Sequence, residues 1–465
     1  MILEIDKRNK RTYAVQIYRQ IRTKILNGEI AAGERLPASR VLADEVGVSR
    51  NTVVNAYEML IAEGFAYSIT GSGVYVLQGA ILSEERKIAN YTVDAFAVED
   101  VDATAIRFDS GTPALEFFPR AKWKKYLSQA YLQAPISALG YDLPQGRPEL
   151  RSVLARHLKK TRGISCDSEQ ILITSGTKQG LNLLAKVLIG QGDEVLIEEV
   201  TNDNVRRIFA YHTDRITPVE LDAEGIRTDK LPPDALPSLI FVTPMHQFPM
   251  GGTLSIQRRL ELVRYAQEKG CYIAEDDYDS EFCYTGFPPR SLYELDAERV
   301  IYIGTFSKTM FPSLRLGYLV LPPALAERFR EMKRLNDHHS NSMNQLALMR
   351  FIESGDLARH IGRMKKRYKD RRDTLLSLLT KYFPQNKTVG EKAGMHVVSA
   401  FPGVNFEEKL LDKIRAAGVY VIPVEAHTLV KGNHRDELIL GYAHLDEEAM
   451  EQGLKIIKDI LTENE

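Results

Sequence analysis

From about residue 107 onward, short β-branched runs return at intervals, with helical stretches between them. The clearest are QILIT (170–174), EVLIE (194–198), LIFVTP (239–244), YIAED (272–276), VIYIG (300–304) and YLVL (318–321). This alternation predicts an α/β domain built on a largely parallel central sheet. A sheet of that kind collects its ligands at the carboxyl ends of its strands. Past residue 323 the pattern is mostly helical, and residues 360–465 read as a smaller α+β subdomain.

The rest of the chain divides differently. Residues 1–78 are dense in short helical patterns, and residues 79–106 are charged, poor in glycine and weakly periodic, as in a linker. At 465 residues, 44% of them hydrophobic, the chain can fill the cores of two or three domains. Formal net charge is −1, so any contact with nucleic acid must rest on local pattern and not on bulk charge. No apolar run approaches the ~18 residues of a membrane span. The N-terminus, MILEIDKRNK, lacks the features of a signal peptide, and the three cysteines, Cys166, Cys271 and Cys283, have neither paired nor metal-ligand spacing. A cytoplasmic protein without a membrane partner or a metal site is the expectation.

In the first zone, Ala14, Ile17, Tyr18, Ile21 and Ile25 line one face of a helix that Gly28 would end. A short helix follows Pro37, with Ser39 as its cap and Gly47 as its stop. After the turn GVS, Ser49 caps a third helix whose buried stripe is Val53, Ala56, Tyr57, Leu60 and Ile61. Two short helices joined by a glycine turn fit a helix-turn-helix. Its second helix would expose Arg50, Asn51 and Thr52 near the N-terminus, where a recognition helix meets base edges. FAYSITGSGVYV then reads as two strands around a glycine-rich tip, a wing. A purely structural three-helix module with a hairpin has the same pattern. The stretch GERLPASRVLADEVGVSRNTVVNAYEMLIAEGFAYSITGSGVYV, however, resembles the winged-helix domain of the GntR regulators, across nearly all of residues 11–77. That resemblance implies that Arg35, Arg40, Ser49, Arg50 and Thr52, with Thr70 and Gly71 at the wing tip, face double-stranded DNA.

In the second zone chemistry gathers after the strands. VIYIG leads into GTFSKTMFPSLR, which presents Thr305, Lys308 and Arg315 together. A lysine placed at a strand end and kept partly unprotonated can form a Schiff base. SGTKQG (175–180) follows QILIT and opens a helix, whose N-terminal N–H groups suit a phosphate. EDDYDSE (275–281) follows YIA, so Asp276 could meet a pyridine nitrogen and Tyr278 a ring oxygen; an acidic loop or a divalent-metal site is the competing reading. His246, in TPMHQFPMGG, follows LIFV. Together with GYDLPQGRPELR (140–151), these motifs resemble aminotransferases of fold type I from about residue 107 to 460. The resemblance implies pyridoxal 5′-phosphate (PLP) on Lys308, with Asp276 at the ring nitrogen and Tyr278, with His246 near it, at the ring oxygen. It implies Gly176, Thr177, Thr305 and Arg315 at the phosphate. It also implies that Tyr141 reaches the phosphate of a partner subunit, hence a homodimer.

A GntR-like winged helix, a linker and an aminotransferase-like domain, in that order, resemble the MocR/GabR-type transcription regulators. In that family the large domain senses a small effector and the winged helices read a promoter, usually as a head-to-tail dimer. A working aminotransferase with an accessory DNA module is the alternative. Two positions depart from the resemblance. Relatives carry a Pro-Gly-aromatic stretch after the strand that is EVLIE here; in EEVTNDNVRR (198–207) the aromatic position holds Asn202 and the proline position Val200. A C-terminal arginine that clamps the substrate carboxylate is replaced by Ala426 and His427, with Arg435 the next arginine along and Arg206 or Arg207 able to enter from the other side. The effector expected is therefore an amine, a larger peptide-like molecule or PLP itself, and not an ordinary amino acid.

Overall fold

The computed structural model describes residues 3–6, 11–78, 105–286 and 290–463. Its contacts divide the chain into two compact units, Met1–Val101 and Asp102–Glu465. Nearly all of the linker read from the sequence lies outside the described residues. Among the described residues no helix is long and apolar enough to cross a membrane.

The first unit holds three helices, Tyr13–Leu26, Ser39–Val46 and Arg50–Ala62, and a hairpin of strands Ala66–Ile69 and Gly73–Val76. Ile17, Tyr18, Ile21 and Ile25 of the first helix meet Leu42 and Ala43 of the second and Val53, Ala56, Tyr57 and Leu60 of the third in one core. Gly47 ends the second helix in the left-handed region (φ 70°), which costs a glycine nothing. Ser39 is not a cap. The helix starts on it, Ala38 precedes it as the capping residue, and no side chain caps that end. The Ser39 hydroxyl accepts instead from Arg50 Nε at 3.4 Å. Ser49 does cap the third helix, accepting from the Thr52 N–H at 3.2 Å.

The second unit is built on a seven-stranded sheet. Its spatial order is Ile171–Thr174, Gly317–Val320, Val300–Thr305, Tyr272–Asp277, Pro237–Val242, Glu194–Glu198, Ile216–Val219. Gly317–Val320 runs antiparallel to both neighbours, and the other pairs are parallel. The strands read as unbroken apolar runs because both faces are covered. Leu172, Val195, Ile197, Leu239, Phe241, Ile301, Ile303 and Leu319 enter one core. The alternate residues Ile171, Ile173, Leu196, Ile240, Val242, Val300, Tyr302 and Val320 enter the other.

A second sheet is antiparallel, in the order Lys387–Val389, His396–Ala400, Glu437–Gly441, Ile422–Pro423, with helices Asp356–Tyr382, Glu408–Ala416 and Glu447–Thr462 in the same region of the chain. Its core also takes in Ile106, Phe108 and Ala114, because the short strand Ile106–Arg107 pairs in parallel with Val419–Tyr420. That return brings the segment after Arg107 past the carboxyl ends of the large sheet, where Gly111 meets Lys308.

Candidate functional site: a cavity at the strand ends and an exposed helix terminus

A cavity of about 290 Å³ opens at the carboxyl ends of the large sheet. Asp276, Tyr278, Thr177, Thr305, Lys308 and Arg315 all line it. Strand Val300–Thr305 delivers Thr305 and then, through a tight turn, Lys308. Lys308 Nζ donates to the Gly111 carbonyl at 2.8 Å. Gly111 has φ 81°, and a Cβ there would lie 2.4 Å from Nζ, so glycine is what makes room for the amine. Burial pulls the lysine pKa down, against the attraction of Asp279 and Asp276.

Four carboxylates lie at the end of one strand or just past it, and their partners differ. Asp277 accepts from Arg162 Nε at 2.9 Å and from the Tyr302 hydroxyl at 2.6 Å. Glu281 pairs with the other side of Arg162 at 2.8 Å. Asp279 is 3.2 Å from His246 Nδ1. Asp276 is the exception, because its buried Oδ1 has no hydrogen-bond partner among the described residues. Burial first, then the neighbouring Asp277 and Asp279, pushes its pKa up to about 8. A buried acceptor without a donor is costly, and a donor on a bound group would satisfy it.

His246 does not line the cavity. It lies behind Tyr278, whose hydroxyl is 3.1 Å from His246 Nδ1, and Asp279 holds the same ring nitrogen from another side. The imidazole thus positions the phenol. Its loop is tied down from beneath: Glu198 accepts from the Thr243 hydroxyl at 2.6 Å and from Gln247 Nε2 at 3.2 Å.

At the opposite end, Gly176 caps the helix Thr177–Leu188 with φ 86° and no side-chain cap, which leaves first-turn N–H groups open. A Cβ on Gly176 would lie 3.0 Å from the Arg315 guanidinium. Arg315 itself takes the left-handed conformation (φ 52°) and donates to the Ser175 carbonyl at 2.7 Å. For a non-glycine residue that conformation costs of order 1 kcal/mol or more. Ser307 and Lys178, which the sequence reading did not single out, line the same end.

Tyr141 lies away from the cavity. It is 87% exposed and packs edge-on against His338 at 4.8 Å. Asn202 lines the cavity, and its side chain caps the helix Asp203–Ala210 by accepting from the Asn204 N–H at 3.0 Å. Phe248 and His396, neither of which the sequence reading named, add aromatic rings to the lining beside Phe241 and Tyr278. Arg206 and Arg207 both pair with Asp203 of their own helix, and neither they nor Arg435 line the cavity.

In the first unit, Arg35, Arg40, Ser49, Arg50, Thr70 and Gly71 are exposed and Thr52 is half-buried. The Arg50–Ser39 contact joins the starts of the second and third helices. Thr70 and Gly71 form the turn between the hairpin strands, and Arg35 bridges to Tyr75 beside them.

The comparisons agree with this architecture. Residues 104–457 match the family described as aminotransferase class I and II, and residues 13–76 match the bacterial regulatory proteins of the gntR family. The probable rhizopine catabolism regulatory protein MocR of Rhizobium meliloti is 32% identical, over 95% of this chain and 92% of its own. The HTH-type pyridoxine biosynthesis transcriptional regulator PdxR of Corynebacterium glutamicum is 30% identical, over 82% of each. Among solved structures, a Pyrococcus horikoshii kynurenine aminotransferase in complex with PMP superposes with TM-score 0.72 at 29% identity, covering 78% of this chain and 92% of that one. A multiple substrate aminotransferase from Thermococcus profundus gives 0.73 at 27%, covering 79% and 95%.

Fold and matches together define a class, transcription regulators in which a helix-turn-helix domain is joined to an aminotransferase-like domain. The chain belongs to the aminotransferase class I and II family over its large unit and, with its GntR domain, is a regulator of the MocR type.

Proposed function

We propose that the large unit binds pyridoxal 5′-phosphate on Lys308 and detects a small amino compound there, and that the first unit carries the response to promoter DNA. The observation that carries this reading is the unpaired, buried Asp276 Oδ1 in the same cavity as an amine seated on Gly111. When bound, the cofactor supplies a protonated pyridine ring that draws electrons from an attached amino group. Asp276 would hold the ring-nitrogen proton, and its raised pKa would fall once that cation arrived. Tyr278, fixed by His246, would donate to the ring oxygen. Gly176, Thr177, Thr305 and Arg315, with Ser307 beside them, would hold the phosphate through open N–H groups, hydroxyls and one guanidinium.

The protein would act in the cytoplasm, as a head-to-tail homodimer in which Tyr141 reaches the partner subunit's phosphate. A run of exposed apolar residues just before it in the chain, Tyr131, Leu132, Ile136 and Leu139, supports that pairing. Arg35, Arg40, Ser49, Arg50 and Thr52, with Thr70 and Gly71, would contact DNA. The intact constellation around Lys308 also favours a second reading, a working aminotransferase.

The visible absorption spectrum of the PLP-loaded protein separates the two. A band that shifts with one amino compound and then persists is the result expected of a sensor. Bleaching that reverses on adding a keto acid, over many turnovers, means transamination. No band at all with added cofactor defeats both.

A further inference from the structure

We propose that His396 selects the effector, and that the effector is an amine carrying a second hydrogen-bond donor, a hydroxyl or another amino group, in place of a carboxylate. The inference rests on the cofactor reading above and adds the chemistry of the ligand.

His396 opens the strand His396–Ala400, is 1% exposed and lines the cavity. Its Nε2 lies 2.9 Å from the Pro249 carbonyl oxygen. A carbonyl can only accept, so Nε2 carries the proton. Among the described residues the ring's hydrogen bond is the one at Nε2, and none is made at Nδ1. On a neutral ring that nitrogen offers a lone pair. The surroundings keep the ring neutral. It is buried, the His246 ring is 5.4 Å away, and the charges of His246, Lys308 and His427 all oppose another cation. Burial and these neighbours push the His396 pKa down to about 3.

A lone pair on a ring that lines the cavity accepts from –OH or –NH and repels a carboxylate. Among the described residues no arginine other than Arg315, at the helix-terminus end, lines the cavity to clamp a carboxylate against that repulsion. Phe248, 5.4 Å from His396, backs onto the apolar cluster of Val200, Val398, Val424 and Ile439. The cations among the lining residues are Lys178 and Arg315, at the end of the open helix terminus, and Lys308 itself. Arg206 and Arg207 are spent on Asp203.

The test is a calorimetric and spectral titration of the PLP-loaded full-length protein. The probes are amino alcohols and diamines, each matched with the alkylamine of the same length and with the corresponding amino acid. At least one amino alcohol or diamine should bind about tenfold more tightly than its alkylamine, the worth of one hydrogen bond, and more tightly than its amino acid. In His396→Phe that preference over the alkylamine should vanish. Equal or tighter binding of the amino acids overturns the inference, as does the absence of a response to any amine. So does a preference that survives in His396→Phe. Failure of the protein to take up the cofactor is a different result, read from the absent visible band before any amine is added, and it defeats the cofactor reading itself. The wild-type panel decides without the variant, should that variant fold poorly.

Discussion

The two units keep their polar groups in opposite ways. In the first, the residues assigned to DNA are on the surface, around a core filled by aliphatic and tyrosine side chains. In the second, the decisive groups are buried, and among the described residues two that line the cavity have no hydrogen-bond partner, Asp276 Oδ1 and Thr201 Oγ1. A polyanion is met by exposed cations that cost the fold nothing while they wait. A small rigid ligand is met by desolvated groups that destabilise the empty site and are repaid when it fills. Variants should therefore behave differently in the two places.

The largest effect is expected at Lys308. Lys308→Ala should abolish the visible band formed with cofactor and leave the circular dichroism of the fold intact, because the amine lies in a cavity and not in a core. Gly111→Ala comes next. Its Cβ would lie 2.4 Å from Nζ, and its backbone has φ 81°. Cofactor affinity, measured by titration of the band, should fall more than tenfold, and the melting temperature should drop with a loss of about 1–3 kcal/mol.

Asp276→Asn sharpens the contrast, since it should move affinity and stability in opposite directions. The pKa of this acid is raised in the folded state, to about 8. Its favourable protonated form is therefore fully present below the unfolded value near 4 and is lost as pH rises through about 8. The empty wild-type protein should lose stability across that window, and the asparagine variant should lose less, as read from urea melts at a series of pH values. Cofactor affinity should fall in the same variant.

Arg50→Ala belongs to the other unit. Promoter affinity in an anisotropy titration should weaken about tenfold, with the visible spectrum unchanged. If Arg50 meets a phosphate, the slope of affinity against salt should fall by about one. The smallest effect is expected at the wing tip, where Thr70→Ala should weaken binding only about twofold, within what one lost polar contact gives. A spectral change in either DNA variant, or a loss of intrinsic DNA affinity in empty Lys308→Ala, would blur the division drawn here.

The strands were legible for the reason that the ligand site was only partly so. Six runs buried on both faces announce themselves as unbroken apolar stretches. Ile216–Val219 did not, because it is an edge strand with Pro218 in it and only one fully buried residue. Asp276, Tyr278 and Lys308 lie at or just past strand ends and Arg315 just before a strand begins, so sequence order carries them to the cavity. Gly111 is 197 residues from Lys308, and only the pairing of Ile106–Arg107 with Val419–Tyr420 brings it back. Its one local signal is the SGT of residues 110–112, the same tripeptide that opens SGTKQG. Phe248 and His396 carry no local signal. A histidine in AGMHVV reads as part of a core strand, and its role depends on the Pro249 carbonyl that occupies one ring nitrogen. His246 misleads in the opposite sense, since it follows a strand end but serves the cavity through Tyr278.

The most direct test of the central claim is borohydride reduction of the cofactor-loaded protein, followed by peptide mass spectrometry. The account predicts the reduced pyridoxyl mass on the peptide that contains Lys308, and its absence in Lys308→Ala. An unmodified Lys308 peptide, or the mass on a different lysine, would contradict it.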